Sequence, residues 1–172
     1  MKNIKIILSS YPSGMPTEDN FEIHETNIPQ LKDQEFLVKS YYLSVDPFLR
    51  MLMNPSDASN APSRDEGAIT DLGQVMAGGN LGEVIKSKNK KFPEGSIVEG
   101  MLGWQSHPIT NGWVNKRHNP AGIVICNPSL NVPISAFASI LGRAGLTAFF
   151  CITKELKPKE NETVVISAAA GA

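Results

Sequence analysis

Between Met1 and Pro133 no residue pattern is sustained for long. Short runs rich in β-branched and aromatic residues alternate with turn residues at close intervals, helped by 14 glycines and 12 prolines in the chain. Such punctuation leaves no room for long helices and specifies a compact body of short strands, barrel-like or sandwich-like. The runs predict strands at Ile4 to Leu8, Phe21 to Glu25, Phe36 to Val45, Val75 to Ala77, Gly82 to Lys86, Ser96 to Leu102, Gly112 to Asn115 and Gly122 to Ile125. Asp46-Pro47 should end the long third run and open a short helix from Phe48 to about Met53. There Asp46 would cap the free amides of the first turn, and Pro47 would fill a position that needs no N–H. Asn54 to Asp71 is polar and should form a long surface loop of the lid or binding type.

The pattern changes at Pro133. Ile134, Phe137, Ala138 and Leu141 recur at helical spacing, and Leu146, Phe149, Phe150 and Thr153 do so again. Gly142 and Gly145 punctuate these helices, and Pro158 closes the second. Thr163-Val-Val-Ile166 then reads as a buried strand that breaks into Ser167-Ala-Ala-Ala-Gly-Ala172. A short β-branched run ending in small residues fits the opening of a nucleotide-binding βα turn, where backbone must approach a pyrophosphate. It equally fits a small-residue strand end with no ligand. The later glycines and the acidic ribose-binding residue of the full fingerprint do not follow. The expectation is therefore the front portion of a two-domain oxidoreductase, with the sequence stopping as its cofactor domain begins.

Charge and cysteine usage narrow the partners. Sixteen Lys and Arg against 17 Asp and Glu give a net charge of −1, with no basic run, which argues against nucleic acid or an anionic membrane. Cys126 and Cys151 sit among apolar neighbours and read as buried free thiols, which suits a reducing cytoplasm. The first eight residues are too short an apolar run for a signal peptide. Arg143 interrupts the longest apolar stretch, Phe137 to Ile152, and excludes a span there.

The chemistry-bearing residues point away from metal and from nucleophilic catalysis. Zinc-binding alcohol dehydrogenases place a cysteine after the long early strand and a Gly-His-Glu turn further on. Here Ser44-Val45-Asp46 and Ala77-Gly78-Gly79 stand in those places, and His24, His107 and His118 lack ligand spacing, so a metal-free site is expected. There is no Gly-x-Ser-x-Gly and no reactive-looking cysteine. Binding surfaces remain. Gly78-Gly-Asn-Leu-Gly82 reads as a glycine-rich turn or bulge that also fits a ligand approach. Gly100-Met-Leu-Gly-Trp-Gln105 fits a pocket wall or ordinary core. Thr147, in the first turn of a helix, would serve either a ligand or its own helix.

Leu43-Ser-Val-Asp-Pro-Phe-Leu-Arg50 resembles the Leu-Ser-Val-Asp-Pro-Tyr-Met-Arg signature of a zinc-free branch of the medium-chain dehydrogenase/reductase superfamily. That branch holds prostaglandin reductases, alkenal double-bond reductases and curcumin reductases. Gly14-Met-Pro-Thr-Glu18, Phe92-Pro-Glu-Gly95, Gly103-Trp-Gln105, Leu141-Gly142 with Gly145-Leu-Thr-Ala-Phe149, and Val165 to Ala172 follow in the family's order. The resemblance implies a mainly β fold with helices (α+β): a GroES-like domain over 1–130, then connecting helices and the truncated start of a Rossmann domain over 131–172. It implies NADPH as hydride donor, α,β-unsaturated ketones or aldehydes as substrates, a cytoplasmic homodimer in the full-length protein, and an inactive isolated fragment. Carried over by motif, Pro47, Phe48, Thr147, Ala170, Gly171 and Ala172 would contact the cofactor. Phe48, Met101 and Leu102 would line the substrate pocket, and no catalytic residue is assigned. The chain departs from the family at Phe48, which lacks the signature tyrosine's hydroxyl, and at Arg143-Ala144, which replaces Met-Pro. A quinone reductase, or a non-catalytic GroES-like binding module, are the alternatives.

Overall fold

The computed structural model describes residues 1–55, 70–112, 122–127 and 129–167. The strands are β1 (Lys2–Leu8), β2 (Phe21–Asn27), β3 (Phe36–Leu43), β4 (Gly79–Ser87), β5 (Ile97–Met101), β6 (Ile109–Thr110) and β7 (Val124–Ile125). The helices are α1 (Leu49–Leu52) and α2 (Arg143–Phe150), with short 3₁₀ turns at Glu18–Asn20, before β2, and at Ile134–Ala138, before α2, and α2 runs on into a π-helix at Cys151–Leu156. Strands β1 and β2 pair antiparallel, and the other five form an antiparallel sheet in the order β6-β3-β4-β5-β7. Single bridges from Lys5 to Gln105 and from Ile7 to Val75 tie β1 to segments outside the named strands.

Alternation along β3, β4 and β5 sends one set of apolar side chains inward. Phe36, Val38, Val84, Val98, Leu102 and Ile123 make one core, with Phe92 stacked on Phe36 at a ring separation of 4.4 Å. Leu8, Leu49, Leu52, Met53 and Met76 make a second core, against which Trp104 packs. Helix α1 exists to close it. Leu49 and Leu52, three apart, share one helical face and are each only 2% exposed. Arg50 points the other way and staples the preceding loop, donating to the carbonyls of Pro12 (2.9 Å) and Gly14 (2.8 Å) and to Asn54 Oδ1 (2.8 Å).

Several expectations are corrected. Gly78 to Gly82 is not a turn between strands, because Gly79, Asn80, Leu81 and Gly82 lie within β4. A Cβ on Gly82 would stand 2.3 Å from the Lys39 carbonyl oxygen, so the glycine allows close approach of two strands. The bulge beside these glycines lies on the partner strand, where Tyr41 is the extra residue between the pairs Ser40–Gly82 and Tyr42–Leu81, and a second lies further along β4, where Ile85 is extra between Val38–Val84 and Leu37–Lys86. Asp46 does not cap α1. Its Oδ2 accepts from Ser44 Oγ at 2.7 Å, and the helix begins after Phe48 with no side-chain cap. Val75 to Ala77 contributes only the Val75 bridge. Thr163 to Ile166 is unpaired, and Val165 is 88% exposed, because a parallel strand is satisfied only by neighbours and none stands beside it among the described residues. Cys151 is exposed, since apolar neighbours in sequence bury a thiol only when another element covers their face. Cys126 is buried as expected. The predicted 54–71 loop lies mostly, and the 112–115 strand lies largely, outside the described residues.

Candidate functional site

The face of the sheet opposite the first core opens onto a cleft of about 1000 Å³. Register fixes which side chains reach it. Tyr42 pairs with Leu81, Leu81 with Glu99, and Gly79 with Met101, so these residues share one face across three strands. The turn after β3 forms the adjoining rim, with Ser44, Asp46, Pro47 and Phe48. Helix α2 and the π-helix supply the facing wall through Arg143, Thr147 and Cys151, four residues apart each time and hence along one side of the helix.

The rim is held in place by several bonds. Ser44 N–H donates to the Gly79 carbonyl at 2.9 Å, and Trp104 Nε1 donates to the Ser44 carbonyl at 3.1 Å. A Cβ on Gly78 would lie 2.4 Å from that indole nitrogen, so glycine is needed where the tryptophan crosses the strand. Gly145 has the same role at the facing wall, where a Cβ would collide with the Ile140 carbonyl oxygen.

Three charged groups interrupt the mostly apolar lining. Glu99 is half-buried, with Arg143 Nη2 3.9 Å from its Oε1. Burial pushes the Glu99 carboxyl above the ordinary range. The Arg143 guanidinium pulls it back down, and the Asp46 carboxylate adds to the rise. Just past β7, whose Val124 pairs with Glu99, burial and then Glu99 push the Cys126 thiol up to about 11. Among the described residues no group of three His, Cys, Asp or Glu side chains is placed to hold a metal. His24 reaches Glu22 at 2.9 Å and His107 reaches Ser106 Oγ at 3.0 Å.

Of the residues singled out in the sequence, Pro47, Phe48, Met101 and Thr147 are brought together around this cleft. Leu102 is not among them, because it turns into the first core and is 8% exposed. Ala170, Gly171 and Ala172 lie outside the described residues. Sequence reasoning missed Glu99 and treated Arg143 as a break in an apolar stretch and a departure from the family motif, not as part of the site. The signal was present in the strand period: Glu99 shares parity with Met101, so a residue proposed for the pocket already pointed to its neighbour two along.

Residues 5–116 match the family described as the N-terminal domain of oxidoreductase, and the chain belongs to it. Its place is the N-terminal part of the medium-chain dehydrogenase/reductase branch that holds prostaglandin, curcumin and alkenal reductases, and the curled antiparallel sheet is its GroES-like body. The chain is 36% identical to prostaglandin reductase 1 of Bos taurus over 92% of its own length and 42% of the relative's. It is 32% identical to the NADP(+)-dependent 2-alkenal reductase of Nicotiana tabacum, over 100% of this chain and 47% of that one. Among solved structures, CurA from Vibrio vulnificus in complex with NADPH superposes with a TM-score of 0.78 at 31% identity, over 98% of this chain and 45% of that one. The chain thus spans less than half the length of the relatives it matches.

Proposed function

We propose that these residues are the substrate-side part of an NADPH-dependent oxidoreductase that reduces the C=C bond of α,β-unsaturated ketones or aldehydes without zinc. The observation that carries this reading is the convergence of Pro47, Phe48, Met101 and Thr147, drawn from three separate regions of the chain, on one cleft. The residues present suit the nicotinamide end of the cofactor. Pro47 and Phe48 give a flat ring an apolar rim, Thr147 offers a hydroxyl beside it, and the cleft is large enough for both ring and substrate. When bound, NADPH supplies the hydride.

In this reading Met101 packs against the carbon skeleton of the substrate and keeps water from it. Side chains of the cleft, Thr147 and the charged groups among them, meet the carbonyl oxygen. Residues 1–130 form the substrate body and 131–172 lead into the cofactor domain, within a cytoplasmic homodimer. NADPH consumption across a panel of enones, alkenals and quinones tests the proposal. Turnover of enones or alkenals above quinones is expected. No consumption with any enone or alkenal overturns it, and a marked preference for quinones assigns the site to that reaction instead.

A further inference from the structure

We propose that Glu99 is the acid of this site: its carboxyl delivers the proton that completes reduction, and Arg143 holds the carboxylate that remains. The inference rests on the reductase reading and adds to it a named proton donor within this chain.

Geometry places Glu99 where such a group is needed. It stands on the cleft face of β5, across from Leu81 and two residues from Met101, which is proposed to meet substrate. Its side chain is 22% exposed, so it reaches the cleft yet is largely withdrawn from bulk water. Half-buried carboxylates in apolar surroundings are costly and are kept where paired or used. Among the described residues its close charge partner is Arg143, at 3.9 Å from the facing helix, too long for a tight bidentate pair and close enough to stabilise a negative charge once formed. Asp46, the other carboxyl of the cleft, is engaged as an acceptor from Ser44 Oγ.

The step balances. Hydride from NADPH, whose C–H bond breaks to leave NADP+, forms the Cβ–H bond, and the C=C π pair moves to the carbonyl oxygen as an enolate. The Glu99 O–H bond then breaks, its proton forms the Cα–H bond, the carbonyl is restored, and the carboxylate regains a proton from water. The groups that face Glu99 set when it is protonated. Burial and Asp46 favour the acid, Arg143 favours the carboxylate, and the nearby Cys126 is a protonated thiol.

Two measurements test this. In this chain, a carboxyl titration followed by NMR on labelled glutamate should show Glu99 titrating above the ordinary glutamate range, and further above it in Arg143→Met. A Glu99 that titrates normally in the wild-type chain overturns the proposal without any enzyme assay. In the NADPH-oxidising protein, Glu99→Gln should lower kcat roughly 100-fold with KM changed by less than about threefold. The basic limb of the pH profile should disappear, and Glu99→Asp should restore part of it. Arg143→Met should move that limb to higher pH. Wild-type turnover with an unaltered Glu99→Gln profile sinks the acid role alone. No wild-type turnover with any enone sinks the reductase reading, and the acid role with it.

Discussion

Gly82 has no side chain because the neighbouring strand leaves no room for one. Its missing Cβ would face the Lys39 carbonyl oxygen at 2.3 Å and Val38 Cγ1 at 2.8 Å. The first of these is backbone and cannot rotate away. Gly82→Ala should therefore destabilise the protein by about 1–3 kcal/mol, the usual cost of forced overpacking. Denaturant melting reads this directly, and an unchanged midpoint would contradict the close approach. The two cysteines differ just as sharply. Cys126 is buried and its thiol is pushed up to about 11, so almost none is thiolate at pH 8, while Cys151 is exposed. One thiol per chain should react quickly with a thiolate-directed reagent at pH 8. The second should follow only on unfolding, or as pH approaches 11. Two fast thiols would show that the sheet does not shield Cys126.

At the scale of elements, β3 does two jobs along its length. Its first three residues, Phe36, Leu37 and Val38, are buried, and Tyr42 near its end lines the cleft. The bulge at Tyr41 makes that change possible by shifting which residues face the core. Phe36→Ala should remove a fully buried ring and its stacking on Phe92, with a loss of about 3–5 kcal/mol by denaturant titration. A loss below about 1 kcal/mol would mean that the first core is not the one holding the sheet. The short helix α1 was legible from Asp46-Pro47, but not the use of Asp46. Sequence shows a good capping residue, whereas which donor reaches it first, Ser44 Oγ or a helix amide, depends on the turn's exact path. The glycines of β4 misled for a related reason. Glycine signals either a turn or a close approach, and only the partner strand tells them apart.

At the scale of the whole molecule, the helical segment after Pro133 keeps much of its apolar surface in water. Ile140 is 74% exposed, Leu146 57% and Phe149 58%. A face of this kind marks an interaction surface. The cleft wall that α2 provides is therefore finished on the side that meets the sheet and bare on the other. Most contacts to a dinucleotide in such folds come from a parallel sheet and its helices, which these residues do not supply. The isolated chain should accordingly bind NADPH weakly or not at all by calorimetry, while binding a hydrophobic dye well. Submicromolar NADPH affinity would show that the cleft alone carries the cofactor site.

What the sequence by itself determined is the class of fold and the ordered motifs. Strand period, turn residues and the change of spacing at Pro133 are local properties, written in neighbouring residues. Tertiary structure alone decided the cleft's chemistry. It turned Leu102 into the core while leaving Met101 outside, and it exposed Cys151 while burying Cys126. It also brought Glu99 within 3.9 Å of Arg143, 44 positions along the chain. Pairing across strands and the seating of a helix on a sheet join residues distant in sequence, and no local pattern encodes the distance between them.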